Sequence, residues 1–311
     1  MQFTFLSFEE YNSRPGIRVM NRFLNKVRKK PPNFIFAANI RMQALKNKIV
    51  VITGASSGIG KALAADALAC GAKVAVCGRD LRKLQAQFTP SDDLLCCKAD
   101  VSIEADCKAF IGEVTARWGG VDVLINNAGI SMRALFEDVD LAVIRELMDI
   151  NFWGSVYCTK YALPAILKSK GVITAISSIA GYRGLPGRTG YSASKFALQG
   201  FLESLRTELL YSGVHVMWVS PGFTASNIRN VARSGDGTAQ AETPLDESKL
   251  MTAETCARII LDGIQNRKRT IVMTTQGKLV VWLNKLFPSF ADKMVFKHFL
   301  NEPDSPLKKQ G

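Results

Sequence analysis

A chain of 311 residues, 47% hydrophobic and 22% charged, has ordinary globular usage and enough length for a sizeable core. No apolar run reaches the roughly 18–20 uncharged residues of a membrane span, and the apolar N-terminus lacks the basic n-region of a secretory signal before Glu9 and Glu10. The net charge of +13 sits in the two ends, with ten Lys or Arg against two acids over 1–48 and nine against three over 267–311; a nucleic-acid enzyme is disfavoured, because its basic patch belongs on the working domain.

In chain order, residues 16–30 ("GIRVMNRFLNKVRKK") put Ile17, Met20, Phe23, Leu24 and Val27 on one helical face, with the basic residues largely opposite. A membrane-surface or targeting helix has this pattern, and so does a loosely packed arm; Pro31-Pro32 ends it either way. From residue 48 short apolar strands alternate with helices. Strands are expected over 48–53, 72–77, 94–99, 121–126, 171–177, 214–220 and 269–274. Helices are expected over 58–70, from Asp80, over 103–118, over 139–168, and from Gly190 to about 212. Continuous apolar strands separated by helices predict a parallel sheet covered on both faces: a doubly wound, Rossmann-type α/β fold in a single domain.

Residues 223–252 are polar, turn-rich and placed directly after a strand end, which favours a lid over a site at the carboxyl edge of the sheet. Beyond the last strand, 277–300 reads as two short amphipathic stretches split at Pro288. Their apolar residues include Leu279, Trp282, Leu286, Phe287 and Phe290, accompanied by Lys278, Lys285, Lys293 and Lys297. Packing over a substrate pocket or a subunit neighbour fits this pattern, and so does peripheral attachment to a membrane. The expected divisions are a basic N-terminal extension over 1–45, a catalytic domain over 46–275 and a basic amphipathic extension over 276–311.

The first chemical signal is "TGASSGIG" (53–60), which follows a strand and opens a helix. Gly54 allows a tight turn, Gly58 a close approach to a pyrophosphate, and Gly60 close helix packing. Ser56, Ser57 and the helix N-terminus around Ile59 favour phosphate. At the end of the second strand, "VCGRD" carries neutral Gly78 and cationic Arg79 where an NAD-binding chain usually has an acid. A guanidinium there suits a 2′-phosphate, so NADP(H) is the expected cofactor. The seven cysteines contain no C-x-x-C pair and read as buried or half-buried thiols of a reducing, cytoplasmic compartment. Of two histidines, His215 reads as a strand-end residue, so no metal site or His-dependent triad is expected.

Several ordered motifs then agree: "TGASSGIG", "DV" (100–101), "NNAG" (126–129), Asn151 in "DINFWG", "SS" (177–178), "YSASK" (191–195) and "PG" (221–222). Over about 46–275 the chain resembles the short-chain dehydrogenase/reductase family. The resemblance implies catalytic roles for Asn151, Ser178, Tyr191 and Lys195. Tyr191 would act as general acid or base, and Lys195, one helical turn along, would lower its pKa and hold the nicotinamide ribose. Ser178 would donate to the substrate oxygen, and Asn151 would hold a relay water. Asp100 and Val101 are implied at the adenine end, Asn127, Ala128 and Gly129 along the cofactor, and Pro221, Gly222 and Thr224 beside the nicotinamide. The expected activity is NADP(H)-dependent interconversion of a carbonyl and a secondary alcohol on a small, apolar substrate, in a homodimer or homotetramer. The alternatives are a 3-oxoacyl thioester reductase and a non-catalytic, membrane-associated nucleotide-binding protein.

Overall fold

The computed structural model describes residues 45–222, 224, 228–240, 250–302 and 305–310. The helix expected over 16–30 lies outside them, as do parts of the segment 223–252. Seven parallel strands form one sheet in the order β3-β2-β1-β4-β5-β6-β7. They are β1 Ile49–Thr53, β2 Lys73–Gly78, β3 Leu94–Lys98, β4 Val123–Asn126, β5 Val172–Ile176, β6 His215–Ser220 and β7 Thr270–Val272.

The strands read as unbroken apolar runs because both faces are covered. Val51, Ala75, Leu124 and Ile173 face a core shared with α3 (Glu104–Trp118), α5 (Gly154–Ser169) and α6 (Thr189–Glu208). Their alternates Val50, Val74 and Ile125 face the opposite core, formed with α1 (Gly58–Ala69) and α7 (Ala253–Gln265). A short α2 (Leu81–Gln85) follows β2, where the Asp80 carboxylate accepts from Lys83 N at 2.9 Å, the helix cap expected there. All seven cysteines are free, and burial pushes the Cys77 and Cys256 thiols up to about 12, which leaves them unreactive.

The helix expected over 139–168 is interrupted. α4 (Leu141–Met148) passes through a π-helical turn, Asp149–Trp153, before α5 begins. The inserted turn carries Asn151 into the interior, and π turns of this kind recur at functional sites. At the C-terminus the split at Pro288 is real: α8 spans Thr275–Leu286, and α9 spans Pro288–Leu300 with the proline in its first turn.

The sheet reverses its strand order beside β1, which pairs with β2 on one side and β4 on the other. Loops leaving the carboxyl ends of these strands diverge at that point and open a crevice, the usual ligand position in such sheets.

Candidate active site

One cleft of about 540 Å³ lies at that edge, and every expected site residue except Asn151 lines it. Its floor is the β1–α1 loop. Gly54 sits at φ +69° and Gly58 at φ +54°, both in the left-handed region that glycine adopts freely. A Cβ on Gly54 would lie 2.8 Å from Ala128 Cα, so the glycine is also required by space. Asn127 clamps the same turn, donating through Nδ2 to Thr53 O and Gly54 O at 2.9 Å each. Thr53 Oγ1 accepts from the amides of Asn127 and Ala128 at 3.0 Å. We expect Gly54→Ala to lower stability by about 2–4 kcal/mol, from left-handed strain plus overpacking, read as a shifted urea midpoint. An unchanged midpoint would show that the loop is not held as described.

The cradle fits a dinucleotide. Ser57 starts α1 without spending its side chain on a cap, and Ser56 stands beside Gly78, so both hydroxyls border the loop. Exposed Arg79 rims the cleft at the carboxyl end of β2, where Lys83 in the first turn of α2 joins it. Lys83 escaped the sequence reading, although its place three residues after the Asp80 cap was the available signal. Asp100 closes a turn by accepting from Ser102 N and Oγ at 3.0 and 2.7 Å, and Val101 is pinned against Gly154. At the far end, buried Thr224 donates to Gly222 O at 3.3 Å, and its carbonyl accepts from Arg229 Nη2 at 3.1 Å.

Tyr191 and Lys195 share one face of α6. Ser178 and Tyr191 line the same cleft, Ser178 acts on the phenol as an influence lowering its pKa, and the Ser178 Oγ accepts from Ala180 N at 3.1 Å. Lys195 is buried, donates to Ile176 O at 2.9 Å, and holds its ammonium 5.7 Å from the centre of the Tyr191 ring. Burial pulls this lysine down to about 8.

The phenol departs from expectation. Burial pushes Tyr191 above its ordinary value, while the Ser178 hydrogen bond and the Arg188 charge pull it down without overcoming that push. The same burial disfavours the Lys195 ammonium beside the ring. The lowered phenol expected from the Tyr–Lys spacing is therefore corrected: in the protein alone burial raises the Tyr191 phenol and lowers the Lys195 ammonium.

Asn151 stands behind the cleft, fully buried. Its Oδ1 accepts from Ile130 N at 2.8 Å, and Nδ2 donates to Ile130 O and Ser194 Oγ at 2.9 Å each. The amide therefore braces the chain after β4 against α6.

The substrate end contains residues with no local motif. Arg188, three residues before Tyr191, lines the cleft with its guanidinium 4.8 Å from the Phe299 ring and 3.6 Å from Glu302 Oε2. Arg133 approaches the same carboxylate oxygen at 3.6 Å. The C-terminal segment thus reaches the neighbourhood of Tyr191. Of the segment expected to act as a lid, the described part 228–240 roofs the cleft through Ile228, Val231 and Ala239. It is tied down: Arg233 makes a two-point pair with Glu146 at 2.8 and 2.5 Å, and its amide donates to Ser131 O at 2.8 Å.

A model of the short chain dehydrogenase family matches residues 48–237. An Arabidopsis thaliana protein described as 11-beta-hydroxysteroid dehydrogenase-like 4A is 35% identical over 255 residues, covering 79% of this chain and 83% of its own. Dehydrogenase/reductase SDR family member 7B of Mus musculus is 34% identical over 266 residues, 82% of each chain. A short chain dehydrogenase of Burkholderia cenocepacia solved with NADP superposes at TM-score 0.69 and 20% identity, over 81% of this chain and 98% of that one. One from Burkholderia phymatum solved with NAD also gives 0.69, at 21% identity, over 79% and 96%. At such identities the two structures speak to the fold, and they favour neither cofactor.

Proposed function

The chain belongs to the short-chain dehydrogenase family, and we propose that it is an NADP(H)-dependent oxidoreductase interconverting a carbonyl and a secondary alcohol on a small apolar substrate. The observation that carries this reading is the convergence of Ser178, Tyr191 and buried Lys195, which donates to Ile176 O at 2.9 Å, on one cleft whose rim also holds Arg79. The loop 54–60 would hold the pyrophosphate, and Arg79 with Lys83 the 2′-phosphate. Asp100 and Val101 would border the adenine, 127–129 the inner ribose, and Pro221, Gly222 and Thr224 the nicotinamide. A nicotinamide held there would supply hydride to the carbonyl carbon or accept it from the carbinol carbon.

Tyr191 gives its phenolic proton to the substrate oxygen in reduction and takes it back in oxidation. Ser178 donates to that oxygen and fixes its position. Lys195 holds a ribose hydroxyl and carries the proton onward. Because the Asn151 amide is occupied, a relay water held by this residue would share its main-chain carbonyl with Ser155 Oγ, which donates to it at 3.3 Å. Ile130, Leu185, Ile228 and Val231 give the substrate end an apolar wall, and relatives named for hydroxysteroids support an apolar substrate. The family often forms homo-oligomers, and we propose one here, in the cytoplasm or at a membrane facing it.

A panel of ketones and aldehydes, followed by NADPH absorbance, tests the activity; no consumption with any carbonyl would overturn it. The pH dependence follows from the raised phenol. Reduction needs the protonated form and persists into alkaline solution, whereas oxidation needs the phenolate and rises with pH. Removing the Arg188 charge in Arg188→Leu takes away a lowering influence, so the alkaline limb of reduction moves to higher pH. A shift to lower pH in the kcat/KM profile would contradict this arrangement.

A further inference from the structure

Among the described residues, the elbow between α8 and α9 carries a cluster of bare large apolar side chains. Leu279, Trp282, Leu286, Phe287 and Phe290 are each 45–59% exposed. The first three follow i, i+3, i+7 spacing on one face of α8. Phe287 joins the helices with its ring 6.1 Å from that of Trp282, and Phe290 opens the next turn. A patch of this kind at a helix corner is not surplus core. The buried face of α9 is made by Ala291, Val295 and Phe299, and Gly277 packs α8 against Ile179.

Charge surrounds the patch on one pattern. Lys278 and Lys285 flank the α8 stripe at neighbouring helical angles, and Lys293 and Lys297 lie on the Phe290 side of α9. All four lysines are exposed. The single acid of the two helices, Asp292, is held by Arg183. Long lysine stems beside exposed aromatic rings let the rings enter an apolar layer while the ammonium groups stay with headgroups. No described helix is long and apolar enough to cross a membrane, so such a contact lies on the surface.

We propose that the α8–α9 elbow is a docking surface for an anionic phospholipid bilayer. A second copy of this chain fits the elbow less well, since a two-fold contact would bring the lysine rows against each other. The bilayer satisfies both features: acyl chains take Trp282, Leu286, Phe287 and Phe290, and anionic headgroups take the lysines. Docking also orients the molecule. α9 borders the loop carrying Leu185 and Pro186, and Leu185 lines both the hollow beside Phe296 and the catalytic cleft.

The full chain is sedimented with phosphatidylcholine vesicles containing phosphatidylserine, and with phosphatidylcholine alone. Binding to the anionic vesicles at low salt, weakening as salt rises, is expected. Trp282→Ser with Phe290→Ser should lower partitioning at least tenfold. Lys278→Gln with Lys285→Gln should lower it roughly 25-fold on anionic vesicles and very little on neutral ones. Retained NADPH binding shows that each variant is folded. Three results would overturn the proposal. They are no binding by the wild type, equal binding by both variants (which places the contact in residues 1–44), and a dimer-to-monomer change in Trp282→Ser/Phe290→Ser with vesicle binding intact.

Discussion

Tyr191→Phe is expected to reduce turnover by roughly 10²–10⁴-fold while leaving NADPH affinity within about a factor of two. The substitution removes one hydroxyl and no ring volume, so α6 keeps its packing. Ser178 loses its phenolic partner but retains Ala180 N, so the short 3₁₀ turn after β5 remains capped. What disappears is the phenolic proton donor that shares the cleft with Ser178, the residue that would orient the substrate oxygen. Water admitted in place of the hydroxyl is a poorer acid and is not held, which sets the size of the loss. Lys195→Ala separates the roles differently. It abandons Ile176 O in a buried position and would delete the proposed ribose contact, so both turnover and NADPH binding should fall. The measurement is kcat on a responsive carbonyl, with Kd for NADPH by fluorescence. Near-normal turnover in Tyr191→Phe would remove Tyr191 from the mechanism.

How far the sequence reaches can be judged from these same residues. The cradle was legible because its determinants are local: a strand end, three glycines at fixed spacing and a helix start define the turn together. Tyr191 and Lys195 were legible as a pair because helical geometry alone sets them on one face. The sign of the Tyr191 shift was not, since burial depends on everything packed around α6, and the spacing carries only the attractive half of the balance. The π turn at Asn151 was hidden for a related reason. Apolar periodicity continues through it from α4 to α5, and one inserted turn leaves no compositional mark. Glu302 carries no local signal. Its approach to Arg188 spans the length of the C-terminal extension, and only the folded chain brings this acid near the end of the sequence to the substrate end of the cleft.

The second large effect concerns cofactor choice, where NADP(H) should be preferred and Arg79 should be the main reason. A 2′-phosphate brings close to two negative charges to the carboxyl end of β2. There Arg79 is exposed at the rim of the cleft and presents planar donors suited to phosphate. Gly78 leaves no carboxylate to repel it. Losing a charge-assisted contact costs about 1.5–3 kcal/mol, so Arg79→Ala should weaken NADPH by roughly 10–100-fold, nearer the lower figure for an exposed group, and NADH hardly at all. Lys83→Ala should act in the same direction and less strongly, because an ammonium contributes a point charge in place of a fork.

Gly78→Asp changes two things at once. Its carboxylate repels the phosphate and accepts from a ribose hydroxyl, which should turn preference toward NADH. Its Cβ, however, would lie 2.7 Å from Ser56 Oγ, so Ser56 must turn away and any phosphate contact it makes is lost. Gly78→Ala isolates that steric part and should cost both cofactors alike. The reversal in Gly78→Asp must therefore be read against Gly78→Ala, not against wild type alone. The deciding quantity is the ratio of kcat/KM for NADPH to that for NADH across wild type and the four variants. A wild type that favours NADH, or an Arg79→Ala protein in which both values fall together, would show that the guanidinium at the end of β2 reads no phosphate.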